Sequence, residues 1–255
     1  MSKKALNRQE LIAQIVDICH RLAAEHFVAA TDGNVSARLS ETRILTTRTG
    51  VPKGFVTAGD IVEVRLDGRA LTGGVRPSTE VGMHLFIYRR RPDVRAVVHA
   101  HPVAATGFAA ARIALDRSVL PEIIIGLGTV PLAEYATPST GEVARSLEPL
   151  IGKRDAILMA NHGVVTCGAT LEEAYWNMEK VEHAARITAV ARLLGGEHQL
   201  NAGELGKLRN ISPRSYGREI PDDLGVPSKS LRRRKSRKAV RRPLRGLRLQ
   251  RRKKS

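Results

Sequence analysis

Short apolar runs typical of β-strands alternate along this chain with longer stretches of helical periodicity, and this alternation is what most restricts its fold. The predicted strands cover 35–39, 43–47, 61–66, 94–101, 123–125, 130–132 and 156–159. Helices are predicted for an opening segment that carries Leu11, Ile15, Ile18 and Leu22, for 81–92, and for about 140–151 and 171–194. Strands and helices mixed in this order indicate an α/β layer structure.

Two of the predicted helices begin with capping signals. Asn7 with Glu10 three residues later is a capping pair for the opening helix. Ser78 and Thr79 before Glu80 predict that a hydroxyl caps the second helix and that Glu80 lies in its first turn. We expect this second helix to end near Pro92.

The positive charge of the chain is concentrated at its C-terminal end. The 255 residues carry a net charge of +17, but residues 229–255 hold 15 Lys or Arg and no acid, which leaves 27 basic and 25 acidic residues before them. We therefore predict one folded domain over 1–221 and a disordered basic extension over 222–255. Cations without aromatic residues predict sequence-independent attraction of this extension to nucleic acid or another anionic partner, with a solvated tail as the alternative.

The composition excludes several classes of protein. Apolar residues make up 42% and charged residues 26% of the chain, which argues against wholesale disorder, collagen and coiled coil. Cys19 and Cys167 form neither a disulfide framework nor a thiolate metal site. No apolar run approaches the ~18 residues of a membrane helix, and the N-terminus lacks the apolar core of a signal peptide. We therefore predict a cytoplasmic protein without a membrane span.

Two histidines one residue apart lie in the predicted strand 94–101. Because alternate side chains of a strand point to the same face, His99 and His101 are placed to share one metal ion. A third imidazole, His162, follows the apolar run 156–160 where a strand ends and a loop begins. Three imidazoles are a ligand pattern of catalytic zinc. A purely structural role of the two strand histidines is the alternative that their spacing leaves open.

Glu80 is the candidate fourth ligand. A carboxylate that substrate displaces would leave an open position for Lewis-acid chemistry. Stabilisation of the helix dipole is the alternative use of an acid at this place. The remaining histidines are predicted not to be ligands, although His84 lies four residues after Glu80.

Three loop segments carry small hydrogen-bonding residues of the kind that hold a phosphate. They are Gly33-Asn34, Thr49-Gly50 and Ser78-Thr79, and the last pair precedes a predicted helix, whose free N–H groups favour an anion. Residues of these types also serve ordinary turns. The three segments are therefore candidate phosphate contacts.

Five motifs, taken in order, resemble the class II aldolase and adducin head family: Gly33-Asn34-Val35-Ser36, Thr49-Gly50-Val51-Pro52, Pro77-Ser78-Thr79-Glu80, His99-Ala100-His101-Pro102 and Asn161-His162-Gly163. The resemblance covers roughly residues 8–217, and the nearest branch is similar to fuculose-1-phosphate aldolase. It implies a three-layer α/β/α domain around a central, mostly antiparallel sheet. It also implies a cyclic homotetramer with active sites at subunit interfaces.

The resemblance further implies a role for each site residue. It implies one Zn²⁺ per subunit held by Glu80, His99, His101 and His162, and a substrate phosphate held by Gly33, Asn34, Thr49, Gly50, Ser78 and Thr79. The implied reaction is a zinc-dependent aldehyde-lyase cleavage of a ketose 1-phosphate to dihydroxyacetone phosphate and an aldehyde through a metal-bound enediolate. Glu80, with a pKa raised by burial, is expected to carry the proton to and from the enediolate.

Two tyrosines of the aldolase branch are matched poorly or not at all. The branch has a tyrosine acid after a Pro-x-Ile-x pattern, but here Pro121-Glu122-Ile123-Ile124 is followed by Ile125, which has no proton to donate. Either another group or water must then donate this proton, or the substrate differs from fuculose 1-phosphate. The tail tyrosine of the branch is matched by Tyr216, which is predicted to be catalytic.

Other members of the family are the alternatives. Ribulose-phosphate 4-epimerase is similar but carries an aspartate at the position of Glu80, so Glu80 favours an aldolase. Methylthioribulose-phosphate dehydratase shares the zinc and the sugar phosphate. A non-enzymatic adducin-like scaffold has no need of four metal ligands together. The resemblance thus predicts a sugar-phosphate substrate, while a histidine-rich site also accepts cobalt or manganese.

Overall fold

A computed structural model of the chain describes residues 6–217, 219–220 and 224. The strands in this part of the chain are β1 Asn34–Arg38, β2 Arg43–Thr47, β3 Ile61–Arg65, β4 Ala96–Ala100, β5 Leu132–Ala133, β6 Ala156–Met159 and β7 Gly163–Gly168. The α-helices are α1 Arg8–Ala24, α2 Val81–Arg90, α3 Val103–Ala110, α4 Pro121–Gly126, α5 Gly141–Ile151, α6 Leu171–Leu193 and α7 Ala202–Tyr216. Except for Leu224, the extension predicted for 222–255 lies outside the described residues and stays a prediction.

One mixed sheet joins these strands in the order β3-β2-β1-β4-β7-β6-β5. Every neighbouring pair is antiparallel except β5 and β6, so the predicted mostly antiparallel sheet is confirmed. β4 lies in the middle, between β1 and β7. Its register sets His99 opposite Asn34 on one side and opposite Val165 on the other. Segments far apart in sequence therefore meet around His99.

Helices cover both faces of the sheet, as a three-layer α/β/α domain requires. Successive residues of β4 point to opposite faces, so Val98 lies in one apolar core and Val97 in the other. The first core is completed by α1, α3 and α6, and the second by α2 and α5. The helices of each layer bury their apolar stripes against the sheet, which is the main source of their stability.

The two capping signals have different outcomes. Asn7 and Glu10 form the predicted capping box at the start of α1. The prediction for α2 is wrong, because the helix begins at Val81 and Glu80 is its N-cap residue without a side-chain capping bond. The Ser78 hydroxyl accepts a hydrogen bond from the Glu80 backbone N–H at 3.2 Å, so it orders the turn before the helix. The side chain of Glu80 is therefore not used to cap α2.

The strand predicted for 123–125 is also wrong. Pro121 at the first helical position and Leu120 as N-cap begin the short helix α4 instead. Ile124 packs against Leu205 of α7, and Ile125 joins the same apolar cluster. A short apolar run has no periodicity that distinguishes a strand from a helix, so its conformation could not be read from the pattern alone. The helices α3 and α7 were not predicted from the sequence, although Asn201 and Glu204 form a capping box at the start of α7.

None of the helices among the described residues has the length and apolarity needed to cross a bilayer.

Candidate active site

Three imidazoles meet at one end of β4. His99 lies in β4, His101 directly follows it, and His162 lies in the turn between β6 and β7. One ring nitrogen from each lies within 4.8 Å of the others. Nδ1 of His99 is 2.8 Å from the Val164 carbonyl, to which its N–H donates, so Nε2 faces the cluster. The predicted convergence of the three histidines is therefore what the structure shows.

Two glycines allow the backbone to approach this cluster. A Cβ on Gly163 would collide with the His101 ring and would lie 2.7 Å from the Ala100 carbonyl oxygen. A Cβ on Gly33, which has φ of +75°, would lie 2.9 Å from the His99 carbonyl oxygen. Both positions therefore require glycine, Gly163 for space and Gly33 also for its left-handed backbone.

The Glu80 carboxylate faces the imidazoles. Its Oε2 lies 3.2 Å from Nε2 of His99, and its Oε1 lies 3.3 Å from Nε2 of His162. Oε1 is buried, yet it accepts no hydrogen bond from any described residue. A buried carboxylate oxygen without a donor is costly unless a cation or proton neutralises it. With three imidazoles beside it, this donor set fits a divalent metal ion.

The pKa of Glu80 differs from the sequence-based expectation. Burial raises it as expected, but the close contacts with His162 and His99 outweigh burial and hold the pKa well below its ordinary value. The expected net rise is therefore wrong, because two imidazoles face the carboxylate. Burial, reinforced by the neighbouring His99 and His162, lowers the pKa of His101 to about 4. Its imidazole is neutral at pH 7, which is the form that binds metal.

A cavity of about 310 Å³ opens beside the cluster. Six of its lining residues are those predicted to hold phosphate: Gly33, Asn34, Thr49, Gly50, Ser78 and Thr79. Glu80, His101 and His162 line it as well. The structure thus brings the predicted phosphate residues and the predicted metal ligands to one cavity. Six lining residues were not predicted: Thr31, Asp32, Arg48, Lys53, Pro138 and Ser139.

Lys53 is the most unusual of the residues that sequence reasoning missed. Its side chain is 2% exposed, although lysine is rarely buried without a partner. Nζ donates hydrogen bonds to the carbonyl oxygens of Thr31 at 3.0 Å and Val51 at 2.8 Å. It thereby joins the loop before Gly33 to the loop after Gly50, and burial lowers its pKa. Lys53 could have been identified from the sequence by its position three residues after the predicted phosphate segment Thr49-Gly50.

The side chain of Asn34 makes two contacts that its position in the predicted phosphate segment Gly33-Asn34 does not predict. Its Nδ2 donates to Glu80 Oε2 at 2.9 Å, and its Oδ1 lies 2.5 Å from Nε2 of the buried His84. Its side chain therefore connects the carboxylate to the interior of α2. A phosphate contact from Asn34 would use its backbone N–H or its second amide hydrogen.

Neither of the two positions that the resemblance assigns to tyrosines lines this cavity. Tyr216 is the last residue of α7, is 58% exposed, and does not line the cavity. Ile125 packs into the apolar cluster between α4 and α7. The catalytic role predicted for Tyr216 stays a prediction.

Comparisons with known proteins agree with this geometry. The family model described as Class II Aldolase and Adducin N-terminal domain matches residues 13–189. The chain belongs to this family. The resemblance carried by the five motifs and the predicted enzyme class, a class II aldolase-type enzyme, are thereby confirmed.

Two relatives within the class II aldolase and adducin family carry different names. The chain is 34% identical over 217 residues to the 3-oxo-tetronate 4-phosphate decarboxylase of Escherichia coli strain K12, which covers 82% of this chain and all of that protein. It is 33% identical over 182 residues to the L-fuculose phosphate aldolase of Methanococcus vannielii, which covers 70% of this chain and 96% of that protein.

The fold agrees with a solved structure of the family. An L-fuculose 1-phosphate aldolase superposes with a TM-score of 0.73 at 29% identity, covering 80% of this chain and 96% of the aldolase. The predicted fold class is therefore confirmed both by the layers of the structure and by this likeness.

Proposed function

We propose that this protein is a zinc-dependent lyase that cleaves a carbon–carbon bond in a short phosphorylated carbonyl substrate. One observation carries the proposal: a single cavity is lined both by the predicted metal ligands Glu80, His101 and His162, next to His99, and by all six residues predicted to hold a phosphate. A metal site for the carbonyl end and small hydrogen-bonding loops for the phosphate end are what such a substrate needs.

Different residues would act on the carbonyl end and on the phosphate end of the substrate. When bound, the zinc ion supplies the Lewis acidity that makes a carbanion next to a carbonyl group tolerable. His99, His101 and His162 would hold the ion through neutral nitrogens, and Glu80 would be the ligand that substrate replaces. The freed Glu80 carboxylate then carries a proton to or from the reacting carbon. Lys53 adds positive charge beside the loops of Gly33 and Thr49, where the phosphate binds.

Aldol cleavage is the first candidate reaction. A ketose 1-phosphate, such as fuculose 1-phosphate, would give dihydroxyacetone phosphate and an aldehyde. The similarity to L-fuculose phosphate aldolases supports this reaction. Cleavage requires a base for the hydroxyl proton next to the broken bond, and Ile125 supplies none. We propose that Tyr216 of a neighbouring subunit in a homotetramer takes this role, because Tyr216 is exposed and does not line the cavity of its own chain.

Decarboxylation of a phosphorylated 3-oxo acid is the second candidate. It is favoured by the similarity to the decarboxylase over that protein's whole length. A carboxylate leaves as CO₂ without any proton transfer to or from oxygen, so a site with Ile125 in place of a tyrosine suits this reaction. Arg48 and Lys53, which both line the cavity, would attract the second negative charge of such a substrate.

The test compares the two bond cleavages directly. Ketose 1-phosphates, including fuculose 1-phosphate, are assayed for dihydroxyacetone phosphate, and 3-oxo-tetronate 4-phosphate is assayed for CO₂, each with and without a chelator. We expect one of the two products, formed only with metal, and its loss in Glu80→Gln and His99→Ala.

Other outcomes would overturn the proposal. Epimerised or dehydrated sugar phosphates without bond cleavage would identify one of the related activities instead. A protein that purifies without metal and cannot be reconstituted with zinc would favour the scaffold.

A further inference from the structure

A continuous series of buried hydrogen bonds leads from the Glu80 carboxylate into the core. Asn34 Nδ2 lies 2.9 Å from Glu80 Oε2, and Asn34 Oδ1 lies 2.5 Å from His84 Nε2. On the other side of the ring, His84 Nδ1 lies 2.6 Å from Ser36 Oγ, which lies 2.9 Å from the Tyr88 hydroxyl. His84 and Ser36 are fully buried, and Tyr88 is 1% exposed. We call these five residues the Glu80 series.

Every hydrogen bond of the Glu80 series is donated in the same direction, toward the Glu80 carboxylate. An ionised carboxylate only accepts, so Asn34 must turn its Nδ2 to Glu80 and its Oδ1 to His84. His84 therefore carries its proton on Nε2. Burial lowers the pKa of His84 to about 3, so the ring is neutral and Nδ1 is an acceptor. The Ser36 hydroxyl donates its single hydrogen to Nδ1 of His84 and accepts a hydrogen bond from the Tyr88 hydroxyl.

We propose that His84 is a positioning residue that fixes, through Asn34, the Glu80 carboxylate for its work at the metal site. This inference rests on the proposed metal-dependent function and assigns to it His84, Ser36 and Tyr88, which are neither metal ligands nor substrate contacts. Asn34 lies on β1 and Glu80 at the start of α2, and His84 one turn further along α2 joins them. The series holds Oε2 in place and leaves Oε1 without a donor, directed at the imidazole cluster.

The physical reason for such a series is orientation at low dielectric. Ligand carboxylates and imidazoles are held by outer hydrogen bonds, and loss of such a bond typically weakens metal affinity or activity. Hydrogen bonds in a series polarise one another, so each strengthens the next. A buried histidine with both nitrogens satisfied has one tautomer, and this tautomer fixes the amide orientation of Asn34.

The chain offers a matched pair of substitutions at position 84. In His84→Gln the side-chain amide nitrogen replaces Nε2 and still donates to Asn34. In His84→Asn the shorter amide stays near Ser36 and does not reach Asn34. Co²⁺ is the probe, because histidine-rich sites accept it and its visible absorption reports the ligand set without turnover. Co²⁺ affinity is measured by competition with a chelator, and folding is checked by circular dichroism.

We expect His84→Gln to bind Co²⁺ like the wild type and His84→Asn to bind it about 10- to 100-fold more weakly, the typical cost of a lost outer contact. The absorption spectrum of His84→Asn should change as well. Tyr88→Phe should lower the affinity slightly, whereas Tyr175→Phe, which removes a hydroxyl from a buried tyrosine outside the series, should leave it unchanged. If His84→Asn does not fold, Ser36→Ala takes its place, with a loss of affinity expected.

Equal Co²⁺ affinity and spectra of the wild type and His84→Asn, or of the wild type and Ser36→Ala where it is needed, would overturn the inference. These outcomes are separate from failure of the proposed function. A wild type that binds no Co²⁺ would overturn both proposals. A wild type that binds Co²⁺ through the series but cleaves no substrate would overturn the proposed reaction alone.

Discussion

At the scale of single residues, the candidate site is built from buried polar groups that neighbours satisfy in defined ways. Lys53 binds two carbonyl oxygens, and His84 has a partner at each ring nitrogen. Glu80 Oε1 is the exception, because it is buried without a donor among the described residues. Groups of this kind make the site sensitive to substitutions that hardly change its shape.

We predict that Lys53→Met weakens phosphate binding. The substitution removes a buried cation and two hydrogen bonds, one of which, to the Thr31 carbonyl, joins the loops of Gly33 and Thr49. Loss of charge-assisted hydrogen bonds predicts about a tenfold or larger rise in the inhibition constant of inorganic phosphate, with a smaller change in kcat. Inhibition of the active enzyme by phosphate measures it. Lys153→Met, the same change at an exposed lysine outside the cavity, is the control, and an equal effect of both variants would refute the prediction.

His84 predicts a pH dependence of stability. Its pKa is lowered by burial to about 3, whereas an exposed histidine titrates near 6.5. Between these values the unfolded chain binds the proton more readily than the folded protein, so stability is complete above about 6.5 and falls as the pH drops towards 3. Thermal unfolding of the metal-free protein from pH 7 to pH 4 measures this slope. His84→Gln should make it shallower, and an unchanged slope would contradict the assignment.

At the scale of secondary-structure elements, His99 lies in a strand, whereas the other three candidate ligands lie in turns or at the ends of elements. His162 lies in the three-residue turn between β6 and β7, where Asn161 has φ of +56°. Gly163 begins β7 directly against His101. A substitution in this turn therefore acts on two ligands at once.

We predict that Gly163→Ala damages the metal site more than the fold. The added methyl group meets the His101 ring and a backbone carbonyl, so the ring or strand must shift. The amount of zinc that the zinc-loaded protein retains after dialysis against a weak chelator should fall. Gly107→Ala in α3, where nothing lies within 4 Å of the added carbon, is the matched control. It should keep its zinc and gain about 0.5–1 kcal/mol in unfolding free energy, as glycine-to-alanine changes in helices do. Normal zinc retention in Gly163→Ala would show that this contact is unimportant.

Elements with a clear period of their own were predicted well from the sequence. The strands β1 to β4 and the helices α1, α5 and α6 agree with the prediction within a few residues. The strand predicted for 123–125 is wrong because three apolar residues carry no period of their own; in the structure they belong to α4 and lie in one apolar cluster with α7. The predicted hydroxyl cap of α2 is wrong because the helix begins at Val81, so the Ser78 hydroxyl accepts from the Glu80 N–H in the turn before it.

At the scale of the whole molecule, charge is distributed unevenly between the domain and the end of the chain. Residues 1–228 carry a net charge of only +2, and residues 229–255 carry the remaining 15 positive charges. Long-range attraction to anions is therefore predicted to belong to the last residues and not to the catalytic domain.

We predict that deletion of 229–255 leaves lyase activity and thermal stability unchanged and abolishes retention on a nucleic-acid column. Retention of the full chain should decrease steeply with salt, since Lys and Arg contacts with phosphates release counterions. Retention by the truncated protein at the same salt concentration would show that the anionic partner binds the domain instead. Loss of activity on truncation would show that the extension contributes to the site.

The sequence by itself determined the residue types of the site and the α/β class, because both are written in local patterns: His99 and His101 at strand spacing, His162 before a glycine, and strands that alternate with helices. Tertiary structure decided which of these residues meet. The register of β4 between β1 and β7 brings Asn34 to His99, and the start of α2 brings Glu80 to His99 and His162. The order of strands in the sheet depends on contacts between distant segments, and so does the pKa of Glu80, on which burial and the neighbouring imidazoles act in opposite directions. No local sequence pattern encodes such contacts.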